Sequence, residues 1–361
     1  MNHPKSILLH DFFEIRGGGE RLVLLLCQEL GLDIGFGFWQ ETSYGREVLE
    51  GLQIFDLAVN SRLIGWRTLK HIKAFQNKTS FLSRYDTVIY SGVVAPLAVR
   101  NHQNGLNLFY CHTPPRFIYD KKAFFLAQIP SWQRPALQFL IDYLQPRYEA
   151  AVAEMDIIIA NSENVKNRIH HYLGKPSTVI YPPCDMERFT WAGQDDYYLS
   201  TARLDFLKGV DLIIKAFLQM SDKRLIIASS GPEFDRLRRL AGGAENITFT
   251  GLVDEDRLNQ LIGHCIATLY VPKDEDFGMS PVESMAAGKP VIGAAEGGLL
   301  ETIIDGETGL LVGPEPSPED IIAAVRALTP RRALEMRQAC QMQARKFDKK
   351  VFLEKMREAL G

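Results

Sequence analysis

The feature that most constrains this chain is a repeated alternation of short apolar runs with longer amphipathic stretches, sustained through both halves. Ser6–His10, Asp86–Tyr90, Leu106–Tyr110, Asp156–Ala160 and Thr178–Tyr181 read as short buried strands in the first half. The rhythm restarts at Tyr197, with strands expected at 197–202, 224–229, 247–250, 266–271, 290–294 and 309–312 and helices between them. Strands alternating with helices build parallel sheets covered on both faces. At 361 residues the chain exceeds one ordinary core, so two doubly wound α/β domains are expected. The stiff run Pro182-Pro183-Cys184-Asp185 marks the boundary, giving one domain over 1–183 and a second from 184.

Composition narrows the function. A net charge of −3 argues against a nucleic-acid binder, which would carry a basic excess. The charge is uneven, mildly basic in the first half and acidic in the second, which hints at an anionic surface partner. Five cysteines lie far apart without C-x-x-C spacing, fitting reduced thiols in a cytosol better than disulfides or a zinc site. No signal-peptide pattern is present, and no apolar run approaches the ~18 residues that span a bilayer. A soluble or peripheral protein is expected.

Residues 62–84 carry Arg62, Arg67, Lys70, Lys73, Lys78 and Arg84 with no acidic residue among them. Leu63, Ile64, Trp66, Leu69, Ile72, Phe75, Phe81 and Leu82 are interleaved. Such a stretch can lie on an anionic membrane or pack its apolar face on the core. The apolar segment 124–144, interrupted by Pro130 and Pro135, reads as an acceptor-side lid or as core.

The richest local pattern runs from Asp274 to Ile292. Ser280 suits a helix N-cap, Pro281 the first helical position and Gly288 the C-terminal cap. A helix start presents unpaired N–H groups and a partial positive charge, which suits phosphate. Glu275 and Glu283 bracket that start. Ser280 and Glu283 also have the S-x-x-E spacing of a capping box, which would make Glu283 a structural residue. Upstream, Arg203 follows a strand and Lys208 opens the next helix, so two fixed cations can meet a diphosphate leaving group. Gly231-Pro232 and Gly251-Leu252-Val253 end two further strands, where turns can present backbone to a base. Asp254-Glu255-Asp256 and Asp274-Glu275-Asp276 have D-x-D form. The first reads as a helix opening, and the second lies where positive charge is already supplied, so no metal is expected.

In the first half, a strand is followed by Arg16-Gly17-Gly18-Gly19-Glu20-Arg21 and an apolar helix that Gly31 stops. That outline suits close approach of a phosphate, or a plain flexible loop. The strand at 106–110 delivers Cys111-His112-Thr113-Pro114-Pro115-Arg116. His112 thus sits where open α/β sheets place ligands, and Arg116 offers a planar fork for anionic oxygens. Asn161-Ser162 caps a helix over 163–173 that ends at Gly174.

Taken in order, these motifs resemble the retaining glycosyltransferases of family 4. The residues that carry the likeness are Glu275-Asp276-Phe277-Gly278 through Glu283, Arg203 with Lys208-Gly209, and Gly17-Gly18 with Glu20. Tyr181-Pro182-Pro183-Cys184-Asp185, Glu296-Gly297-Gly298 before Glu301, and Gly306 through Gly309 add to it. The resemblance implies the GT-B fold, two Rossmann-like domains facing across a cleft. The second domain would run over 184–346, and a last helix over 347–361 would return to the first. It implies that Arg203 and Lys208 hold the donor diphosphate, with backbone N–H groups at Gly278, Met279 and Ser280. Gly231 and Leu252 would lie in the donor-binding loops. Glu283 would bond the ribose, Glu275 the donor sugar, and Phe277 would shape the sugar pocket. Gly17, Gly18 and Arg116 would also serve the donor, with His112 near the anomeric carbon. Neither a metal nor a cofactor is implied.

Tyr110 through Arg116, followed by Tyr119-Asp120, is similar to a subgroup that adds mannose from GDP-mannose to lipid-linked bacterial polysaccharides. The expectation is therefore a metal-independent, retaining mannosyltransferase. It would be cytoplasmic and able to work at the inner face of the cytoplasmic membrane. A UDP- or ADP-sugar transferase, a sugar-nucleotide epimerase and a silent sugar-nucleotide-binding protein are the alternatives. A nicotinamide dehydrogenase would want G-x-G-x-x-G with an acidic residue about 20 positions on, and neither half shows it.

Overall fold

A computed structural model describes residues 5–15, 17–41, 43–59 and 64–361. Arg16, Arg62 and Leu63 lie outside the described residues. The chain divides into two units, Met1–Tyr181 with Leu353–Gly361, and Pro182–Phe352.

The first unit is built on seven strands: β1 (Ser6–His10), β2 (Asp33–Phe36), β3 (Ile54–Asp56), β4 (Thr87–Ser91), β5 (Leu106–Cys111), β6 (Ile157–Ala160) and β7 (Thr178–Val179). They form one parallel sheet in the order β3-β2-β1-β4-β5-β6-β7. Ile7, Leu9, Val88, Tyr90, Phe109 and Ile158 form part of one buried cluster with helix faces such as Ile72, Phe75, Ile141 and Leu144. Each such side chain contributes about 1.5–3 kcal/mol on burial. Sequence periodicity does not reveal β2 and β3. They have four and three residues, and β3 is exposed at both its ends.

The second unit has six strands: β8 (Tyr198–Ser200), β9 (Leu225–Ile227), β10 (Ile247–Phe249), β11 (Thr268–Tyr270), β12 (Val291–Ala294) and β13 (Gly309–Val312). All pairings are parallel, in the order β10-β9-β8-β11-β12-β13. The six expected strands are therefore present, each trimmed by no more than a few residues at its ends.

Helix ends follow local chemistry. Gly31 ends the helix Gly18–Leu30 at φ +62, and Ser162 caps Glu163–Leu173 by accepting from the Val165 N–H, with Gly174 closing it at φ +62. Asp254 likewise caps Glu255–His264, accepting from the Arg257 N–H at 2.7 Å, so the first D-x-D does open a helix.

The basic stretch forms the helix Ile64–Asn77 and a short turn Ser80–Arg84. Its apolar side is used by the protein itself: Ile72, Phe75 and Leu82 are buried, and Phe81 stacks on Phe55 at 3.9 Å. Trp66 remains 59% exposed. The 124–144 segment divides similarly, with Ile141 and Leu144 in the core and Trp132 turned out at 77% exposure. Among the described residues no helix is long and apolar enough to cross a membrane.

Candidate active site

In each sheet the chain winds outward from a central strand, then crosses back and winds the other way. The loops at the carboxyl ends of the two strands flanking that reversal part, and ligands bind in the crevice they leave. In the second unit those strands are β8 and β11. The β8 loop carries Arg203 and Lys208, and the β11 loop carries Glu275 through Ser280.

Backbone contacts stitch the two loops together. The Lys273 N–H donates to the Leu207 carbonyl at 2.7 Å, while Asp205 caps the turn Phe206–Lys208 by accepting from the Leu207 N–H. Gly209 follows at φ +65, and a Cβ there would stand 2.2 Å from the Val271 carbonyl oxygen. Only glycine combines that backbone angle with so close an approach.

The consequence is a three-membered polar cluster. Lys208 Nζ lies 2.7 Å from Glu275 Oε2 and 3.0 Å from the Tyr270 hydroxyl, which donates to the same Oε2 at 2.8 Å. Both charged partners are half-buried. Burial works against the Lys208 ammonium, but Tyr270 and then Glu275 outweigh it and raise its pKa. Burial, followed by the Glu275 charge, raises the Tyr270 phenol. Lys208 is thus an ammonium and Tyr270 a neutral phenol, gathered on the Glu275 side chain at the carboxyl ends of β8 and β11. Arg203, on the same β8 loop, is exposed.

The loop after β12 backs the cluster. The Glu275 N–H donates to Glu296 Oε1 at 3.3 Å, and the Glu275 carbonyl accepts from the Gly298 N–H at 3.0 Å. A Cβ on Gly298 would fall 2.3 Å from Phe277 Cα, so the two loops touch backbone to backbone.

The helix beside this cluster begins earlier than expected. It spans Met279–Ala286 and its N-cap is Gly278, at φ 92 and ψ 72, with no side chain capping it. Ser280 is therefore its second residue rather than its cap, and Pro281 its third. Proline is harmless there, because the first turn's N–H groups have no partner inside the helix. The capping box allowed by the Ser280–Glu283 spacing does not form, since the helix starts ahead of it. The helix stops as expected, with Gly288 at φ +71 just beyond the C-cap Ala287. Glu283 is half-buried in the middle of the helix.

Gly231 and Leu252 occupy the neighbouring loops after β9 and β10. The Gly231 loop sits on Leu204, whose N–H donates to Ser230 O at 3.1 Å and whose carbonyl accepts from the Glu233 N–H at 3.0 Å. Leu252 is 83% exposed. Phe277 is only 3% exposed and meets the Phe347 ring edge-on at 5.4 Å, anchoring the loop in the core. Tyr270 escapes sequence reading because it looks like one more strand residue. Its place as the last strand residue before the acidic loop is the signal that could have found it.

In the first unit the reversal lies between β1 and β4. Gly17 is the N-cap of Gly18–Leu30, with no side chain capping that helix either. His112 directly follows β5, and a Cβ on Gly19 would come 3.5 Å from its Cε1, so the glycine turn and the histidine are brought together. Burial lowers the His112 pKa to about 4, leaving a neutral imidazole. Arg116 does not offer a free fork. Its guanidinium holds the Asp120 carboxylate four residues on, with Nε at 3.0 Å. The arginine and aspartate of that motif are thus each other's partners.

Residues 184–347 match the family model for glycosyl transferases group 1. The second unit carries a group 1 glycosyltransferase domain. Among relatives of the chain, alpha-1,3/1,6-mannosyltransferase ALG2 of Dictyostelium discoideum is 26% identical over a match that covers 64% of this chain and 64% of the relative. The Mus musculus protein of the same name is 25% identical, over 87% of this chain and 85% of its own. Anabaena HepE, solved in complex with UDP and glucose, superposes with a TM-score of 0.77 at 17% identity, covering 99% of both chains. The fold is GT-B, two parallel-sheet Rossmann-like domains, and the group 1 domain contains the Lys208–Tyr270–Glu275 cluster.

Proposed function

We propose that the chain is a retaining hexosyltransferase that takes mannose from GDP-mannose and delivers it to a lipid-linked saccharide, without a metal or cofactor. The observation that carries this reading is the juxtaposition at the β8–β11 reversal: Lys208 paired to Glu275, an exposed Arg203 on the same loop and a helix start that no side chain caps. Arg203, Lys208 and the N–H groups of Met279 and Ser280 would meet the diphosphate as its charge grows on bond breaking. Lys208 touches Glu275 already, so the carboxylate is set to take sugar hydroxyls next to the phosphate that the lysine holds. Glu283 would bond the ribose. His112 of the first unit would act near the anomeric carbon, and a donor phosphate oxygen would take the acceptor's proton.

The names of the ALG2 relatives support mannosyl transfer. HepE, crystallised with UDP and glucose, supports a UDP-sugar as the second reading of the donor. At an anionic membrane surface, the exposed Trp66, Lys70 and Lys73 of the basic helix would make the contact.

The test is thermal stabilisation by GDP, UDP and ADP and by their sugar conjugates, followed by transfer assays. A ligand at about 100 times its Kd adds ~2.7 kcal/mol, readily seen. GDP-mannose is expected to give the largest shift, and a larger one from a UDP-sugar would replace the donor. Arg203→Ala and Lys208→Ala are expected to abolish transfer. Normal turnover in both would sink the assignment, and turnover without any acceptor would point to an epimerase.

A further inference from the structure

His10 ends β1, Ser91 ends β4 and His112 follows β5, so three adjacent strands deliver these residues to one edge of the first sheet. His10 and Ser91 stand opposite each other in the β1–β4 register. His10 Nδ1 lies 3.1 Å from Ser91 Oγ, and that oxygen lies 2.9 Å from His112 Nε2. His10 and Ser91 are buried and His112 is half-buried, so the chain of contacts runs from the interior to the site.

A serine hydroxyl has a single hydrogen. Between His10 Nδ1 and His112 Nε2 it donates to one and accepts from the other, which ties the two neutral rings to the same tautomer, the hydrogen on Nδ1 in both or on Nε2 in both. Both rings are neutral near pH 7, because burial lowers His112 to about 4, and burial with the neighbouring His112 lowers His10 to about 3. The start of the helix Gly18–Leu30 lies close to the ring, since a Cβ added to Gly19 would come 3.5 Å from His112 Cε1 and 3.6 Å from Nε2.

We propose that Ser91, backed by His10, is a positioning residue that locks His112 in one tautomer and one orientation, leaving its Nδ1 edge as the part that meets substrate. The inference rests on the reading of His112 as the group nearest the anomeric carbon. Ser91 touches no substrate in this scheme and acts only through the ring.

The experiment records ¹⁵N-histidine spectra of the full chain, of Ser91→Ala and of Ser91→Thr, together with donor KM and kcat. His112 is expected to show one tautomer in the parent and in Ser91→Thr, and a mixture in Ser91→Ala. In Ser91→Ala kcat is expected to fall about tenfold with KM changed less than about twofold, and Ser91→Thr to recover most of the loss. If Ser91→Ala does not fold, His10→Gln loosens the same chain one link further back and should also mix the tautomers. An unchanged His112 tautomer in a folded variant that lacks the hydroxyl or His10 overturns the proposal. If the parent transfers no sugar from any donor tried, the catalytic reading fails, and the spectra alone decide whether the lock exists.

Discussion

At the scale of single residues, the Tyr270 hydroxyl is the piece that makes Lys208 and Glu275 a unit. It accepts from the ammonium and donates to the carboxylate, so Tyr270→Phe removes two hydrogen bonds while keeping the ring. Thermal melts should show a loss of about 1 kcal/mol, and calorimetry donor binding weakened by about fivefold to tenfold. Equal donor affinity in Tyr270→Phe and the parent would mean that the phenol serves only the core. Glu283→Gln separates roles differently. Since Glu283 does not cap its helix, the substitution should weaken donor binding much more than it lowers stability. Arg203, Lys208, Glu275 and Glu283 draw notice in the sequence because charged residues at strand ends and helix starts stand out against an apolar pattern, and among them the structure shows Lys208 on Glu275. The helix start was misread because Ser-Pro has the chemistry of a cap and first position. Gly278 displaces it for a reason the local sequence does not hold: its left-handed backbone passes the Leu299 side chain, which a Cβ would meet at 2.6 Å.

At the scale of elements, the site depends on loops that touch backbone to backbone. Gly298→Ala would place a Cβ 2.3 Å from Phe277 Cα and 2.5 Å from the Asp276 carbonyl oxygen, neither of which can rotate away. A destabilisation of about 1–3 kcal/mol is expected, with a larger proportional loss of donor affinity as the Glu275 loop shifts. Gly313→Ala is the control, because a Cβ there meets nothing within 4 Å. Denaturation midpoints and donor titrations of the two variants check this, and similar behaviour in both would refute it. The strands of the second unit were legible because parallel strands buried on both faces read as apolar runs. The helix over 64–77 shows the limit of that signal. Its periodicity says that one face is apolar, but not whether protein or lipid covers it, and here Ile72 and Phe75 meet protein.

At the scale of the whole molecule, stability should fall on the acid side, and the cause lies in the first unit. His10 and His71 are buried, and burial, ahead of neighbouring charges, lowers them to about 3 and about 4 from 6.5. Their contribution is complete above pH 6.5 and is lost as pH falls below it, because the unfolded chain then takes up protons that the fold refuses. Each adds a slope of about 1.4 kcal/mol per pH unit in that window. Asp11 opposes this in part. Burial raises it to about 6 despite three N–H groups donating to its carboxylate, so its contribution is present below 3.8 and lost as pH rises through 6. The net expectation is falling stability from pH 6.5 to 5. Replacing His71, which stacks on Phe12 and Phe38, by Phe should flatten the fall, as urea titrations across that range can show. The reversal of winding in each sheet has a further consequence, in time rather than in space. The seam at the first reversal joins Ser6 to Thr87, and that at the second joins Leu199 to Thr268, so both wait on strands made far apart in the chain. Pairings between distant segments close late in folding. A refolding chain should therefore regain its helical circular dichroism before it can bind a donor, and stopped-flow mixing would show the second signal lagging the first.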